Sequence, residues 1–340
     1  MEINLKMSLL KDMKIAKTIR THSEAINSLL ICKNRNLISA SLGRIIFYSK
    51  QNLEVILRIT EFKQFYISHI NELHKDNTFI FCHNGFIIFE TSEDNKTYKV
   101  LFSFYERFLF HKSIEFDYQN DNKENSENKY NIIISSIYGI HIFEQKKNEN
   151  EKQDWEAIKR INDNEIVYNI YKLDNNTFVS SSNTTLAGGK NCLRFWSYKD
   201  FINTKTINNI TCSSGNSSIV KFNERILLVS LEKINYFPYR GKDIPKDLNN
   251  INGLAVIDLK YLEVVQYIEM HNKIRSLLVT KNNDILAGSI FSVFQFKFNK
   301  GNFEIISEKE LLNYINNVIV EIEENCFIIG SINKLIFVLK

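Results

Sequence analysis

The residues best suited to chemistry in this chain are its histidines, its cysteines and the carboxylates of its apolar, strand-like segments. There are seven His and five Cys among 340 residues. A metal or hydrolytic site needs several such groups to converge from neighbouring elements. The sequence has no Cys-x-x-Cys pair and no P-loop, Gly-x-Ser-x-Gly or His-Glu-x-x-His motif. We therefore predict that the protein is not an enzyme and has no catalytic residue, metal site or cofactor.

The candidate acids and bases do not share a common position in the sequence pattern. The carboxylates in or beside predicted inner strands are Glu24, Glu72, Glu115, Asp117, Glu165 and Glu321. Their registers differ, so they predict no convergent set. His22 and His271 each stand just before an inner strand, and we interpret them as structural caps. The histidines in or beside strands, for which packing or exposure is favoured over ligation, are His69, His83 and His141.

The five cysteines are widely spaced, at Cys32, Cys82, Cys192, Cys212 and Cys326. Most of them lie inside predicted strands, where a free thiol behaves as a small apolar side chain. Their odd number argues against a complete disulfide framework. We therefore expect buried, reduced thiols.

One short strand pattern returns seven times and organises the whole chain. Each copy begins with glycine or a polar residue and continues with apolar residues around an aromatic one. The copies span residues 43–48, 85–89, 139–143, 192–196, 253–258, 292–296 and 334–338. A repeat of about 40 residues indicates an array of small β units, each too small to bury its own apolar face.

Each copy follows two other predicted strands, and most copies precede a fourth. The strand directly before each copy is a nearly continuous apolar run, as expected of a strand buried on both faces. Clusters of Asn and Asp before these runs favour tight hairpin turns. The fourth strand alternates polar and apolar residues, which suits an outer edge with one wet face. Four antiparallel strands repeated seven times predict an all-β fold, a single seven-bladed β-propeller.

We predict that this array occupies residues 1–340 as one domain. The last copy of the pattern is the third strand of its blade, and no fourth strand follows it. Residues 13–19 form an unassigned strand ahead of the first repeat, which can pair with the last blade and close the ring. Two polar, low-complexity insertions in the third blade, 119–129 and 145–154, are expected to be disordered.

This layout resembles the WD-repeat propellers over nearly the whole chain. In that family, a Gly-His pair precedes the inner strand and a Trp-Asp pair ends the third strand. His22 and His271 occupy the first place without the glycine, whereas Trp196-Ser197 and Ile257-Asp258 match the second place in part. The family's Asp between the second and third strands is largely missing, so a sister propeller family remains an alternative. The resemblance implies a rigid ring that docks partner proteins.

Insertions between the second and third strands of blades 4 and 5 share one face of such a ring. They span residues 183–191 and 232–252, and the second holds both prolines of the chain among aromatic and basic residues. This composition is typical of a recognition surface. The predicted partner-binding residues are Tyr236, Tyr239, Arg240, Lys242, Lys190 and Arg194. The alternative is a flap whose aromatic residues pack on its own propeller.

Bulk properties limit the class of partner. The net charge of +4 is weak, and Lys and Arg are interspersed with Asp and Glu, which argues against nucleic-acid binding. No apolar run reaches the ~18 residues of a membrane span, and the N-terminus does not resemble a signal peptide. We therefore expect a cytoplasmic protein, with a nuclear location left open.

We predict a non-catalytic scaffold that binds protein partners within a multiprotein complex. The alternative is a propeller that binds phosphoinositides at a membrane surface. Some propellers that resemble this one use paired arginines for that purpose, and Tyr239-Arg240-Gly241 contains one arginine.

Overall fold

A computed structural model describes residues 9–118, 129–147, 153–161, 165–182, 191–214, 217–232 and 252–340. The strands within these residues form seven four-stranded antiparallel blades in a ring. Helix is limited, in the same residues, to the single turn α1 (Leu9–Asp12). The predicted all-β propeller of seven blades is confirmed.

Five blades are separate four-stranded sheets. Blade 1 consists of β2 (Ile26–Ile31), β3 (Leu37–Ser41), β4 (Arg44–Tyr48) and β5 (Val55–Ile59). Blade 2 consists of β6 (His69–Glu72), β7 (Thr78–His83), β8 (Gly85–Thr91) and β9 (Tyr98–Tyr105). Blade 3 consists of β10 (Phe110–Tyr118), β11 (Lys129–Ser136), β12 (Gly139–Lys147) and β13 (Gln153–Ile161). Blade 4 consists of β14 (Val167–Lys172), β15 (Thr177–Ser182), β16 (Cys192–Ser197) and β17 (Ile202–Asn208). Blade 5 consists of β18 (Ile219–Lys221), β19 (Ile226–Leu231), β20 (Asn252–Asp258) and β21 (Glu263–Met270).

Blades 6 and 7 form one six-stranded sheet and share the long strand β24. Their strands are β22 (Ile274–Val279), β23 (Ile285–Asn299), β24 (Asn302–Glu323), β25 (Cys326–Ser331), β26 (Leu335–Leu339) and β1 (Ile15–Arg20). β23 supplies the second and third strands of blade 6, and β24 supplies its fourth strand and the first strand of blade 7. First strands contact each other from blade to blade around the ring, which places them at its axis.

The N-terminal strand closes the ring. β1 pairs antiparallel with β26, with Arg20 opposite Leu335, and Lys14 exchanges two backbone hydrogen bonds of 2.9 and 3.1 Å with Lys340. The predicted closing strand is confirmed, although it spans Ile15–Arg20 and not residues 13–19. Met13 precedes it and is buried with Leu10 of α1 in the core between blades 6 and 7.

Burial follows the pattern expected from the sequence. Every residue of the second strands β3 and β7 is buried, whereas the fourth strand β21 alternates exposed and half-buried side chains. The apolar faces of adjacent blades pack together, as where Phe47 of blade 1 contacts Phe79 of blade 2 at 5.4 Å between ring centroids. Each blade therefore completes its core with its neighbours, as repeat architectures require.

The predicted cap at His22 is confirmed. Its Nδ1 and Nε2 atoms lie 2.7 and 2.5 Å from the hydroxyl oxygens of Ser41 and Ser39. Ser39 donates in turn to the hydroxyl oxygen of Tyr48 at 3.1 Å. Burial, aided by nearby arginine charges, lowers the pKa of His22 to about 4. This neutral, fully bonded imidazole ties the start of blade 1 to its second and third strands.

The insertions predicted in blade 3 are shorter than the polar sequence indicated. Lys129 pairs with Tyr118, and Gln145 pairs with Trp155 in the hairpin of β12 and β13. The pairing continues to Lys147 opposite Gln153. The prediction was wrong for these edge residues, because backbone ladder bonds form without apolar side chains. Residues 119–128 and 148–152 lie outside the described residues.

Candidate functional site

An irregularity near the start of the first strand recurs from blade to blade. The register shifts by one residue at this place in blades 1, 3, 4, 6 and 7. The extra residues are Asn27, His111, Tyr168, Arg275 and Asn317. A β-bulge leaves its extra residue out of the ladder and re-aims the side chain.

The extra residues meet at the ring axis and line one cavity of about 240 Å³. Its lining residues are Asn27, Tyr66, Ser68, Leu109, His111, Tyr168, Ser214, Arg275 and Asn317. The cavity lies at the level where the first strands begin. The second strands run antiparallel to the first and return to this level, so their connections to the third strands share the same face. We call this surface the cavity face.

In blades 7, 1 and 2, the side chain at this position links its blade to the next one. Asn317 Nδ2 donates to the carbonyl oxygen of Ile26 at 2.7 Å, and Asn27 Nδ2 donates to that of Ile67 at 2.9 Å. Ser68 Oγ makes the corresponding bond to blade 3 at 2.8 Å. The acceptor in each case directly precedes the equivalent position of the next blade. We call these three blades the linked half of the ring.

In blades 3, 4 and 6, which we call the open half, the same position carries a larger side chain. His111 Nε2 and Arg275 Nε are buried and have no hydrogen-bond partner among the described residues. The rings of His111 and Tyr168 lie 5.0 Å apart between centroids. Two nitrogens at this position of the open half are therefore available for hydrogen bonds. In the linked half, the equivalent side chain already bonds to the neighbouring blade.

The described residues that line the cavity include one permanent charge, which is positive. Arg275 supplies it, and none of these residues is acidic. Burial lowers the pKa of His111 to about 4, so its imidazole is neutral near pH 7. The next residue, Lys112, has a pKa lowered to about 8 by burial. Burial, and secondarily the charge of Lys112, lowers the pKa of His69 to about 3.

Exposed apolar side chains lie on the cavity face. Tyr66 lines the cavity itself and is 50% exposed. The other exposed apolar residues of the cavity face, in second-to-third turns or at the end of a fourth strand, are Leu42, Tyr105, Tyr138 and Phe291. The Arg160 guanidinium lies 5.5 Å from the Tyr138 ring centroid. Aromatic residues and Arg are enriched in protein interfaces.

The structure describes one of the six residues predicted to bind a partner. Arg194 forms an ion pair with Glu165, with Nη2 donating to Oε1 at 2.6 Å, and it donates to Ser182 Oγ at 3.0 Å. It therefore serves the internal structure of blade 4. The other predicted residues, which lie outside the described residues, are Tyr236, Tyr239, Arg240, Lys242 and Lys190. Their segments connect second to third strands, and these connections leave from the cavity face.

The inner-strand carboxylates include a set that the sequence analysis misjudged. Glu72, Glu115 and Glu321 share one register, four residues after the cavity position of their blades. Each accepts a backbone N–H from the preceding blade, at 2.7, 2.6 and 2.7 Å respectively. They are therefore clamps between blades. Among the described residues, no group of three or more His, Cys, Asp and Glu is arranged to hold a metal ion.

The expectation for the cysteines is confirmed. All five are buried free thiols. Burial raises the pKa of Cys82 to about 12, so this thiol stays protonated near neutral pH.

The cavity was not predicted from the sequence. The pattern that marks the cavity positions in the sequence is an apolar residue followed by a polar one at the start of an inner strand. Examples are Ile26-Asn27, Phe110-His111 and Ile274-Arg275. A bulge breaks the alternation of a strand at this point, so the pattern looks like a strand end.

Comparisons with known proteins place the fold but not the function. No family model and no curated protein matches the chain. The WD40 β-propeller domain of Doa1 is similar, with a TM-score of 0.65, 12% identity and 97% of each chain covered. A chain of a mitotic checkpoint complex is also similar, with a TM-score of 0.70 and 8% identity over 96% of this chain and 91% of that one. The described part of this chain contains no helix with the length and apolar character to span a bilayer. The chain therefore has the fold of the WD40 β-propellers.

Proposed function

We propose that this protein is a non-catalytic interaction scaffold that docks a protein partner on its cavity face. The observation that carries the proposal is the group of exposed aromatic side chains on the face that holds a cavity lined by Arg275. Tyr66, Tyr138 and Phe291 are each at least 45% exposed on this face. Large aromatic side chains in such a place supply most of the binding energy of many interfaces.

Two further considerations support this face. One structurally similar chain belongs to a crystal structure of a multiprotein complex. In addition, the second-to-third connections of blades 4 and 5 leave from this face and carry the predicted binding residues. We include Tyr236, Tyr239, Arg240, Lys242 and Lys190 in the proposed interface.

The test compares tyrosines removed from two surfaces. Tyr66→Ser with Tyr138→Ser changes the cavity face. Tyr261→Ser with Tyr267→Ser, the outer-edge pair, removes similarly exposed tyrosines from the third-to-fourth turn and the outer strand of blade 5. The double variants are expressed in the native cell, and their partners are captured and quantified by mass spectrometry. We expect the cavity-face pair to lose a stoichiometric partner by about tenfold or more, as truncated interface aromatics do.

The outer-edge pair is expected to retain that partner at the wild-type level. Loss in the outer-edge pair with retention in the cavity-face pair would overturn the proposed surface. Equal capture by both pairs would do the same. A Tyr239→Ala/Arg240→Ala variant then tests the blade 5 segment, because loss of the partner in this variant would extend the interface to that segment.

A membrane-surface role rests on Arg240 alone, and no described residue favours it. Flotation with vesicles that contain or lack phosphoinositide tests it directly. We expect a cytoplasmic location, which imaging of a tagged full-length chain checks.

A further inference from the structure

We propose that the cavity at the ring axis is a receptor for one carboxylate of the docked protein, an Asp or Glu side chain that Arg275 and His111 hold. This inference rests on the proposed function, because the carboxylate arrives with the partner. It adds the chemical class of the group that the cavity selects.

First, Arg275 offers an unused hydrogen-bond donor to the cavity. The side chain is half-buried and lines the cavity, and its Nε atom is buried without a hydrogen-bond partner among the described residues. A buried donor without an acceptor destabilises the folded state, and natural proteins pair nearly all such donors. The carboxylate is the side-chain anion whose two oxygens match the fork of an arginine. A partner that brings one would complete the bonding of Arg275.

The second step concerns acids of this chain that could do the same. None of the described residues lining the cavity is acidic. The neighbouring Glu232 forms an ion pair with Lys273 and accepts the backbone N–H of Ser214 at 3.3 Å. Glu232 is therefore already engaged at the edge of the cavity, which leaves Arg275 for an incoming group.

The third step is the neutral histidine. His111 Nε2 is buried at the cavity without a described partner. A neutral imidazole with its proton on Nε2 donates one hydrogen bond without adding a charge. The ring of Tyr168 packs against it, with centroids 5.0 Å apart. His111 and Arg275 thus provide donors from two blades around a single space.

The fourth step selects a carboxylate over a phosphate. A phosphate monoester carries about −1.5 to −2 charges near pH 7, whereas the described lining residues provide one permanent positive charge, that of Arg275. A singly charged carboxylate matches this charge. The cavity of about 240 Å³ has room for a carboxylate with its short aliphatic stem.

The experiment titrates the full-length chain with small probes and follows arginine Nε–H and histidine signals by NMR. The probes are a capped Gly-Glu-Gly peptide, the capped Gly-Gln-Gly peptide of the same shape, and inorganic phosphate. We expect saturable shifts of the Arg275 and His111 signals with the Glu peptide at or below about 10 mM, which corresponds to a weak single-group contact. The Gln peptide is expected to bind at least about tenfold more weakly, because the charge-assisted bonds are missing.

Variants of Arg275 and His111 test whether these side chains cause the NMR response to the Glu peptide. Arg275→Met should abolish the response, and the matched control Arg58→Met, on the exposed outer strand of blade 1, should retain it. His111→Gln retains a donor without the ring and should weaken Glu-peptide binding only partly. Circular dichroism and thermal melting verify that each variant folds.

The inference is overturned by equal binding of the Glu and Gln peptides, by tighter binding of phosphate than of the Glu peptide, or by no saturable shift up to about 10 mM. Unchanged Glu-peptide binding in Arg275→Met would overturn it as well. If Tyr66→Ser/Tyr138→Ser loses its partner while Arg275→Met retains it fully, the docking surface stands and the carboxylate receptor fails. If both pairs of tyrosine variants retain the partner, the proposed function fails first.

Discussion

The linked half and the open half, which together include six of the seven blades, use the same structural position in different ways. In the linked half, Asn317, Asn27 and Ser68 each donate to a carbonyl oxygen of the next blade. In the open half, Arg275 and His111 keep a buried nitrogen without a described partner. The same position in the repeat therefore bonds adjacent blades together in the linked half. In the open half it is available to bind another group.

The difference follows from side-chain size and chemistry. A short amide or hydroxyl group can reach the adjacent strand and satisfy both itself and the carbonyl it meets. The larger guanidinium of Arg275 and imidazole of His111 line the cavity instead, and each has one buried nitrogen without a described partner. Buried polar groups are nearly always hydrogen-bonded, so at this position of the repeat the open half has donors that an incoming group can satisfy.

Lowering the pH is expected to change the free energy of unfolding more than any single substitution, because buried histidines occur in both halves. Burial lowers the pKa values of His22, His83 and His111 to about 4. Unfolded histidine has a pKa of about 6.5, so the unfolded chain binds more protons between about pH 6.5 and 4. The free energy of unfolding should therefore fall as the pH falls through this window, by up to about 1.4 kcal/mol per pH unit for each such histidine.

Two variants separate the halves in this experiment, which uses urea unfolding at several pH values. His22→Gln should lose about 1–2 kcal/mol at pH 7, because Ser39 and Ser41 lose their bonds to the imidazole. His111→Gln should leave stability at pH 7 nearly unchanged. Both should reduce the slope below pH 6.5. A stability that stays flat between pH 6.5 and 4 in the wild type would contradict the buried, neutral histidines.

A substitution in each half sharpens the comparison at constant pH. Asn27→Leu retains the side-chain size but leaves the Ile67 carbonyl oxygen without its bond, which should cost about 1–3 kcal/mol. Arg275→Met removes a half-buried side chain whose buried Nε atom has no described partner, so it should change the free energy of unfolding by less than about 0.5 kcal/mol or increase it. Urea unfolding with coincident fluorescence and circular dichroism measures both. Equal losses would show that the two halves do not differ.

The sequence predicted most of the fold because the repeated strands carry strong signals. The apolar second strands, the aromatic third strands and the Asn-rich turns each depend on neighbouring residues, and local patterns reveal them. The closing strand β1 was predicted because it had no blade of its own. The extension of β12 to Lys147 was missed, because a polar hairpin held by ladder bonds looks like a loop in the sequence.

Little of the candidate site could be predicted in the same way. The cavity positions of adjacent blades lie 41 to 57 residues apart, and variable insertions between them obscure their equivalence. The same cause hid the shared register of Glu72, Glu115 and Glu321, which becomes clear only when the blades are superimposed around the axis. Arg194 was predicted to bind a partner from its neighbourhood, but its ion pair with Glu165 depends on a contact 29 positions away in the chain.

The most direct test of the account places a photo-reactive amino acid on each of two surfaces and asks which one contacts the partner. One chain carries it at Tyr66, 50% exposed beside the cavity, and the other at Tyr267, 60% exposed on the outer strand of blade 5. After irradiation in the native cell, we expect position 66 to cross-link to the captured partner and position 267 to give no such product. A cross-link from position 267 in the absence of one from position 66 would contradict docking on the cavity face.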